Sequence, residues 1–383
     1  MYLPYLERQR NGSKLILFAT LLVSMVTVFV QPSFADGQII TDTITVQALK
    51  DNKLGDPDTR DIVIYLPLSY NSSDKAYPVI YLLHGFGGDE RSLVDEVGEQ
   101  LAIFLIDGLI NAGSLKEMII VMPDGRNKYG GSFYLNSELA GNYEDYIAVE
   151  LVDYIDSNYR TISHREGRAI AGASMGGYGS MTLAMKHPEV YSAVVSLSPP
   201  LGFETISEEM IPEVLRENLD GLAGPNSEQY TSYMYALSAA LSPNLDNPAF
   251  LVDLPFEYPA GEIIEQVRQR WLKADPLTML STYGVSLMKM EGIYIDVGDE
   301  DLPGFKVAAD AFHQELVATG VEHRYDVYQG DHYANPIERA INLLTFLSDL
   351  FPTAPSSVKY GDQLATIWGA IRKGTPNCLP LSR

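Results

Sequence analysis

The chain has 383 residues, of which 46% are hydrophobic, a formal net charge of −23 and a single cysteine. This length and apolar content suit a globular protein of one large or two smaller domains. An acidic surface repels nucleic acid and anionic lipid, and one cysteine cannot form an internal disulfide or a cysteine metal cluster, so we expect none of these.

The first 35 residues are typical of a secretory signal. Arg8, Arg10 and Lys14 form a basic start, and an apolar run over 15–30 leads to small residues ending at Ala35. This pattern predicts a signal peptide cleaved after Ala35, a secreted or periplasmic location, and no membrane attachment afterwards. An uncleaved anchor is the alternative, but the run is shorter than the about 20 residues that a bilayer span requires.

Four segments rich in β-branched and aromatic residues follow, separated by turn-forming residues, and these predict strands. They lie at 39–49, 59–70, 77–85 and 118–125. The last two are continuous apolar runs, which indicates strands buried on both faces in a mostly parallel sheet. A helical pattern that ends at Gly113 separates these two strands.

Helix and strand then alternate. The pattern predicts an amphipathic helix over 141–160, a strand over 167–174, a helix that stops at Pro188, and a strand over 191–199. Alternation of this kind predicts an α/β architecture.

The alternation stops over 200–290, where several helical patterns and no convincing strand occur. We interpret residues 200–280 as a helical insertion that forms a lid over a cleft, with most of its aromatic residues packed in the core. Strand, helix, strand and helix are then predicted in turn over residues 292–301, 305–320, 323–332 and 337–351. The mature domain therefore covers 36–351, and residues 352–383 form an irregular tail.

The stretch Gly-Ala-Ser-Met-Gly at 172–176 fits the pattern G-x-S-x-G and lies between a predicted strand and a predicted helix. In that context the serine sits on a sharp turn that exposes its hydroxyl, and side chains at the flanking glycines would clash. Ser174 is therefore the candidate nucleophile, and the helix start beside it favours a developing anion. A chance match in an ordinary loop is the alternative.

A serine nucleophile needs a base and an acid, which the end of the chain offers. Of six histidines, only His332 follows the last predicted strand in a loop. The acidic stretch after the preceding strand offers several carboxylates, of which we choose Asp301, with Asp299 as the second choice. A solvated acidic loop is the alternative for the others, and a calcium loop is disfavoured because the required glycine is absent after Asp301.

The turn His-Gly-Phe-Gly-Gly at 84–88 directly follows a buried predicted strand. A turn of this type supplies one oxyanion-hole amide, and the residue after the nucleophile supplies the other. We assign these roles to the backbone N–H groups of Phe86 and Met175. A phosphate loop is excluded because no G-K-[ST] follows, and His84 is interpreted as structural.

Several of these stretches together resemble the esterase D family of α/β-hydrolases, which includes S-formylglutathione hydrolases, feruloyl and acetyl-xylan esterases, enterochelin esterases and mycolyltransferase antigens. The stretches are YPVIYLLHGFGGDE, MIIVMPDGR, GGSFYLNS, AIAGASMGGYGSM and GDHYANP. The resemblance covers roughly 40–200 and 273–350 and is poorest between them. It implies an α/β-hydrolase fold with helices on both faces of the sheet, no cofactor, and a triad of Ser174, Asp301 and His332.

The resemblance also brings Asp124 and the pair Phe133 and Tyr134 near the cleft as possible substrate contacts, although a turn-forming role suits Asp124 equally. We therefore expect an exported serine carboxylesterase acting on a small-molecule or carbohydrate ester. The secretion signal argues against a cytosolic S-formylglutathione hydrolase. An acyltransferase with the same acyl-enzyme, a non-catalytic binding protein on the same fold, and a peptidase remain as alternatives.

Overall fold

The computed structural model describes residues 37–96 and 98–352. The predicted signal peptide, with its cleavage after Ala35, and the tail from residue 353 onward lie outside these residues and stay predictions. Within the described ranges, no helix combines the length and the apolar character needed to cross a bilayer.

A central sheet of eight strands organises the chain. The eight strands are β1 Gln38–Thr45, β2 Thr59–Leu66, β3 Val79–Leu83, β4 Ile119–Pro123, β7 Arg168–Ala173, β8 Ala193–Leu197, β11 Gly292–Gly298 and β12 Arg324–Tyr328. Their spatial order is β1-β2-β4-β3-β7-β8-β11-β12. Strands β1, β2 and β4 pair antiparallel, and every pair from β4 to β12 is parallel. This mostly parallel sheet, covered by helices, confirms the predicted α/β-hydrolase architecture.

Helices and short hairpins connect the strands. The helices are α1 Ser92–Asp95, α2 Glu99–Asn111, α3 Tyr143–Asp145, α4 Leu151–Asn158, α5 Met175–Lys186, α6 Phe203–Glu217, α7 Gln229–Leu241, α8 Glu265–Trp271, α9 Pro276–Leu287, α10 Phe305–Thr319 and α11 Pro336–Leu350. The two hairpins pair β5 Asn136–Ser137 with β6 Gly141–Asn142, and β9 Phe256–Glu257 with β10 Glu262–Ile263.

The sheet separates two apolar cores. The larger core packs helices such as α5 and α10 against one face. On the other face, α2 and α11 contribute to a smaller core that includes Ile80, Val195 and Leu347. Since strands buried on both faces need apolar residues at every position, the continuous runs of β3 and β4 follow from this arrangement.

Two predictions need correction. The hairpin β9–β10 lies within 200–290, where no strand is predicted, because strands of two residues are too short to create an alternating pattern. The predicted helix 141–160 is interrupted by a π-helical turn over Tyr146–Glu150, which joins α3 to α4. Apolar spacing alone does not reveal such a turn.

The 200–290 segment closes on itself where it leaves the sheet. The N–H of Leu277 donates to the carbonyl of Leu201 at 3.1 Å, and the N–H of Phe203 donates to the carboxylate of Asp275 at 2.8 Å. Trp271 is buried against Phe203, in agreement with the core-packing role expected for most aromatic residues here. Residues 201–203 and 275–277 are therefore adjacent, and the part of the segment between them forms a closed loop of helices.

Candidate active site

Ser174 occupies the single-residue turn between β7 and α5. Its backbone has φ 56° and ψ −119°. Residues that carry a Cβ rarely adopt this conformation, which costs about 1–3 kcal/mol. The turn is held because the N–H of Ser174 donates to Leu197 O at 2.8 Å, and its own carbonyl accepts from Tyr178 N–H at 2.9 Å. The hydroxyl is thereby presented at the carboxyl edge of the sheet.

Glycines on both sides of Ser174 allow this close approach of helix and sheet. A Cβ on Gly172 would collide with the carbonyl of Gly176, and a Cβ on Gly176 would collide with the carbonyl of Leu83 in the neighbouring strand. Both positions therefore exclude side chains for steric reasons.

His332 and Asp301 form a buried pair in the loops after β12 and β11. The His332 Nδ1 to Asp301 Oδ1 distance is 2.5 Å, and the two side chains are 7% and 0% exposed. Burial would raise the pKa of Asp301, but the hydrogen bonds from His332 and from the N–H groups of Gly298 and Leu302 lower it below its ordinary value. Because the carboxylate only accepts, Nδ1 of His332 carries a proton and Nε2 is free to accept one.

Asp299, the second choice for the acid, has a different role. Its carboxylate accepts the N–H of Gly330 at 2.7 Å and so ties the two loops together. The structure therefore brings Asp301, and not Asp299, to His332.

Arg339 of α11 holds the His332 loop in place through hydrogen bonds. Its guanidinium makes two hydrogen bonds to Asp296, of 2.8 and 2.9 Å, and donates to the carbonyl of His332 at 3.3 Å. It also donates to the hydroxyl of Ser198 at 2.9 Å. Both members of the ion pair are buried, so this network joins β8, β11 and the histidine loop. Arg339 is not among the predicted site residues.

The backbone N–H groups of Phe86 and Met175 belong to the two turns beside the hydroxyl of Ser174. Among the described residues, neither N–H donates to another backbone carbonyl. Met175 is the first residue of α5, whose N-terminus adds a partial positive charge. The ring of Phe86 packs edge-on against Tyr233 with centroids 5.3 Å apart.

His84 joins the Phe86 turn to the loop after β4. Its Nε2 accepts the N–H of Gly125 at 2.8 Å, so Nδ1 carries the proton that is donated to Gly85 O at 2.8 Å. Burial lowers the pKa of His84, in keeping with a neutral ring. This arrangement agrees with the structural role expected for the residue.

Asp124 and Tyr134 do not line the cavity that contains Ser174. Asp124 pairs with the buried Arg60 at 2.9 Å and accepts the N–H of Arg126, which shapes its own turn. Tyr134 is fully buried and donates to the carbonyl of His84 at 2.9 Å. In the described part of the chain, these two residues support the walls of the site from behind.

One cavity of about 530 Å³ brings Phe86, Ser174 and His332 together. Ser174 Oγ makes no hydrogen bond to His332 within the described residues, although both line the same wall; such bonds are often long before a ligand is bound. In residues 37–96 and 98–352, no three His, Cys, Asp or Glu side chains are grouped to hold a metal ion.

Tyr233 of α7 also lines this cavity, whereas most aromatic residues of 200–280 are expected to pack in the core. It is 5% exposed, and its hydroxyl finds no hydrogen-bond partner among the described residues. Burial raises the pKa of Tyr233, so the hydroxyl keeps its proton and can donate it in a hydrogen bond. An unpaired buried donor in a cavity wall is a candidate ligand contact.

The comparison with protein families gives one match that covers most of the chain. The model of the esterase family, described as "Putative esterase", matches residues 57–337. Curated relatives match over shorter stretches. "Esterase Rv1288" of Mycobacterium tuberculosis (strain ATCC 25618 / H37Rv) is 35% identical over 141 residues, which are 36% of this chain and 28% of the relative. An endo-1,4-beta-xylanase/feruloyl esterase of Xylanibacter ruminicola is 33% identical over 135 residues, 33% of this chain and 18% of the relative.

The matched stretches thus span less than a third of these relatives' own lengths. Solved structures show the fold over most of the chain. A ferulic acid esterase aligns with a TM-score of 0.58 and 22% identity, covering 82% of this chain and 99% of its own. An S-formylglutathione hydrolase from Agrobacterium tumefaciens aligns with a TM-score of 0.54 and 17% identity, covering 84% and 98%.

Proposed function

The chain belongs to the esterase family, and from this premise we propose that it is a serine carboxylesterase that cleaves carboxylic esters through an acyl-enzyme. The observation that carries the proposal is the 2.5 Å hydrogen bond between His332 and Asp301 in loops beside the strained turn of Ser174. A nucleophile, an acid and a base in this chain order are the parts that acyl transfer requires.

In the proposed reaction, Ser174 Oγ attacks the ester carbonyl while Nε2 of His332 takes the hydroxyl proton. Asp301 holds the imidazole and stabilises its positive charge. When the tetrahedral intermediate collapses, His332 returns the proton to the departing alkoxide and the alcohol leaves. Water then attacks the acyl-enzyme by the same route, which releases the acid and restores Ser174.

The oxyanion of each tetrahedral intermediate would accept hydrogen bonds from the N–H groups of Phe86 and Met175. This assignment is supported because, in the described residues, neither N–H group donates to a backbone carbonyl, so both are available to a ligand. One such donor contributes about 2.7–4 kcal/mol of transition-state stabilisation. His84 would keep the Phe86 turn in place through its bonds to both neighbouring loops.

Location and substrate access complete the proposal. The basic and apolar pattern of residues 1–35 supports export, which sequencing of the mature N-terminus would test by a start at Asp36. Residues 200–280 would act as a lid, because Met210, Tyr230 and Tyr233 contribute to the cavity wall.

The proposal is tested by labelling with a fluorophosphonate and by hydrolysis of p-nitrophenyl acetate, with methyl ferulate and an acetylated sugar as further substrates. We expect Ser174→Ala to abolish both labelling and hydrolysis. Ser92→Ala is the matched control, since Ser92 lines the same cavity but its hydroxyl is already bonded to Asp89 at 2.9 Å. Labelling that persists in Ser174→Ala, or a wild type that neither labels nor hydrolyses any ester, would overturn the proposal.

A further inference from the structure

The cavity that contains Ser174 extends away from the reactive centre as an apolar channel over the smaller core. Its floor comes from successive strands of the sheet, and its sides come from α2 and α11. The lining side chains, named here the apolar channel, are Leu82, Ala102, Leu105, Ile106, Leu109, Ile120, Met122, Leu197, Ile341, Leu343 and Leu344.

The channel exists because the two helices that cover this face of the sheet lie over strands that are far apart. Helix α2 contacts β1, whereas α11 contacts β8 and β11. Strands β1 and β8 lie five positions apart in the sheet, about 24 Å at 4.8 Å per strand. Helices in direct contact have axes about 8–10 Å apart, so these two lie too far apart to pack against each other across the strands between them. Leu82 in the central strand β3 is only partly buried for this reason.

Polar groups mark the far end of the channel and are paired there. The hydroxyl of Tyr65 donates to Asp107 at 2.6 Å, and the same carboxylate accepts the N–H of Gly37 at 2.9 Å. Tyr65 and Ile39 are the lining residues that lie nearest the edge of the sheet. The channel therefore offers apolar surface along its length and ends at a polar group that already has its partners.

Resting on the proposed esterase function, we propose that this channel holds the acyl chain of the ester, so that the substrates are esters of medium- and long-chain fatty acids. The acyl group stays bonded to Ser174 after the alcohol leaves, and Ser174 lies in the wall of the same cavity. A chain that remains attached is suited to a continuous apolar lining that begins beside Ser174. The alcohol, which must depart, needs no such lining.

Each methylene that enters the channel leaves water, which favours binding by about fourfold. Because this gain is equal in the ground state and in the transition state, it lowers KM and raises kcat/KM. We therefore expect kcat/KM for p-nitrophenyl esters to rise by about 16-fold from acetate to butyrate, which adds two methylenes, to rise further to octanoate, and to level off once the chain fills the channel.

The decisive variant is Leu109→Trp, which fills the deep part of the channel from α2. The matched control is Phe104→Trp on the same helix, because Phe104 is 71% exposed and lies outside the lining. We expect Leu109→Trp to lower kcat/KM for laurate by at least tenfold and to leave acetate hydrolysis unchanged. Phe104→Trp should change neither. Ile106→Phe is a milder variant with the same expected selectivity, should Leu109→Trp fail to fold.

Three outcomes overturn the channel assignment while the esterase function stands. The first is acetate hydrolysis with no preference for longer acyl chains. The second is a chain-length preference seen with alkyl acetates, which vary the alcohol, instead of with the acyl series. The third is equal loss of acetate and laurate hydrolysis in both channel variants, with fluorophosphonate labelling intact. Failure of the proposed function is distinguishable, because it removes labelling and acetate hydrolysis from the wild type itself.

Discussion

Nδ1 of His332 donates a 2.5 Å hydrogen bond to Asp301, although the two residues lie 31 positions apart in separate loops. The parallel pairing of β11 with β12 brings these loops together at one edge of the sheet. Asp299 joins the same two loops by accepting the N–H of Gly330 and makes no hydrogen bond to the imidazole among the described residues. Two neighbouring carboxylates therefore have separable roles.

The first prediction concerns these carboxylates. Asp301→Asn should lower kcat for p-nitrophenyl acetate by about 10⁴-fold, because the imidazole loses both its tautomer and its charge stabilisation. Asp299→Asn should lower it far less, since only a loop contact is weakened. Steady-state kinetics of both variants provide the measurement. A larger loss in Asp299→Asn than in Asp301→Asn would contradict the assignment of the acid.

A second prediction follows from the backbone of Ser174. Ser174→Gly should abolish hydrolysis and raise the free energy of unfolding by about 1 kcal/mol, because glycine adopts the strained conformation freely. Ser174→Ala should abolish hydrolysis without this gain, since it keeps a Cβ. Urea unfolding of the three proteins measures the difference. Equal stability of the two variants would mean that the turn stores no strain.

The third prediction concerns the buried ion pair of Arg339 and Asp296. Arg339→Gln should lower the free energy of unfolding by about 3–5 kcal/mol, because it leaves the Asp296 carboxylate buried without its partner. Arg324→Gln is the control: Arg324 pairs with Asp326 at the surface, where such a pair contributes about 0–1 kcal/mol. Similar losses in both variants, measured by urea unfolding, would argue against the supporting role of Arg339.

A fourth prediction uses the unpaired hydroxyl of Tyr233. Tyr233→Phe should keep or slightly raise the free energy of unfolding, whereas Tyr178→Phe should lower it by about 1 kcal/mol, because the Tyr178 hydroxyl donates to Ala274 O at 2.7 Å. If the Tyr233 hydroxyl contacts substrate, kcat/KM falls in Tyr233→Phe alone. Unchanged kcat/KM in this variant would rule out that contact.

The fifth prediction is a pH dependence of stability at the end of α5. The hydrogen bond to Glu144 raises the pKa of His187 above its ordinary value of 6.5, so the protonated form is favoured in the folded state. Its contribution is complete below about pH 6.5 and is lost as the pH rises through the folded-state pKa. The stability difference between wild type and His187→Gln should therefore be constant below about pH 6.5 and shrink as the pH rises above it. A difference independent of pH would contradict it.

Local pattern was enough to predict the turn of Ser174 and the loop of His332. The strand, the glycines and the helix around Ser174 lie within one short stretch, and each imposes a steric condition visible in the sequence. The choice between Asp299 and Asp301 depends on how two loops meet, which spacing alone does not determine. The turn-forming alternative for Asp124 agrees with its hydrogen bond to Arg126, whereas its ion pair with Arg60 joins residues that are distant in the chain and adjacent only in the folded sheet.

The position of Asp296 within an apolar strand indicates that a basic side chain pairs with it. A carboxylate inside an apolar strand needs a buried cation, but the sequence does not reveal which of the basic residues supplies it. The apolar channel is harder still, since it results from the distance between α2 and α11 and not from any motif. Apolar residues on α2 are equally consistent with ordinary core packing.

The hydrogen bonds of Leu201 with Leu277 and of Phe203 with Asp275 close the stem of the 200–290 segment. Ser174, Asp301 and His332 all lie outside that stem. A graft joined at this stem would replace one wall of the cavity and leave Ser174, Asp301 and His332 in their own turn and loops. The helices α2 and α11, which line the apolar channel, would also stay in place, so the lid and the channel can be varied one at a time.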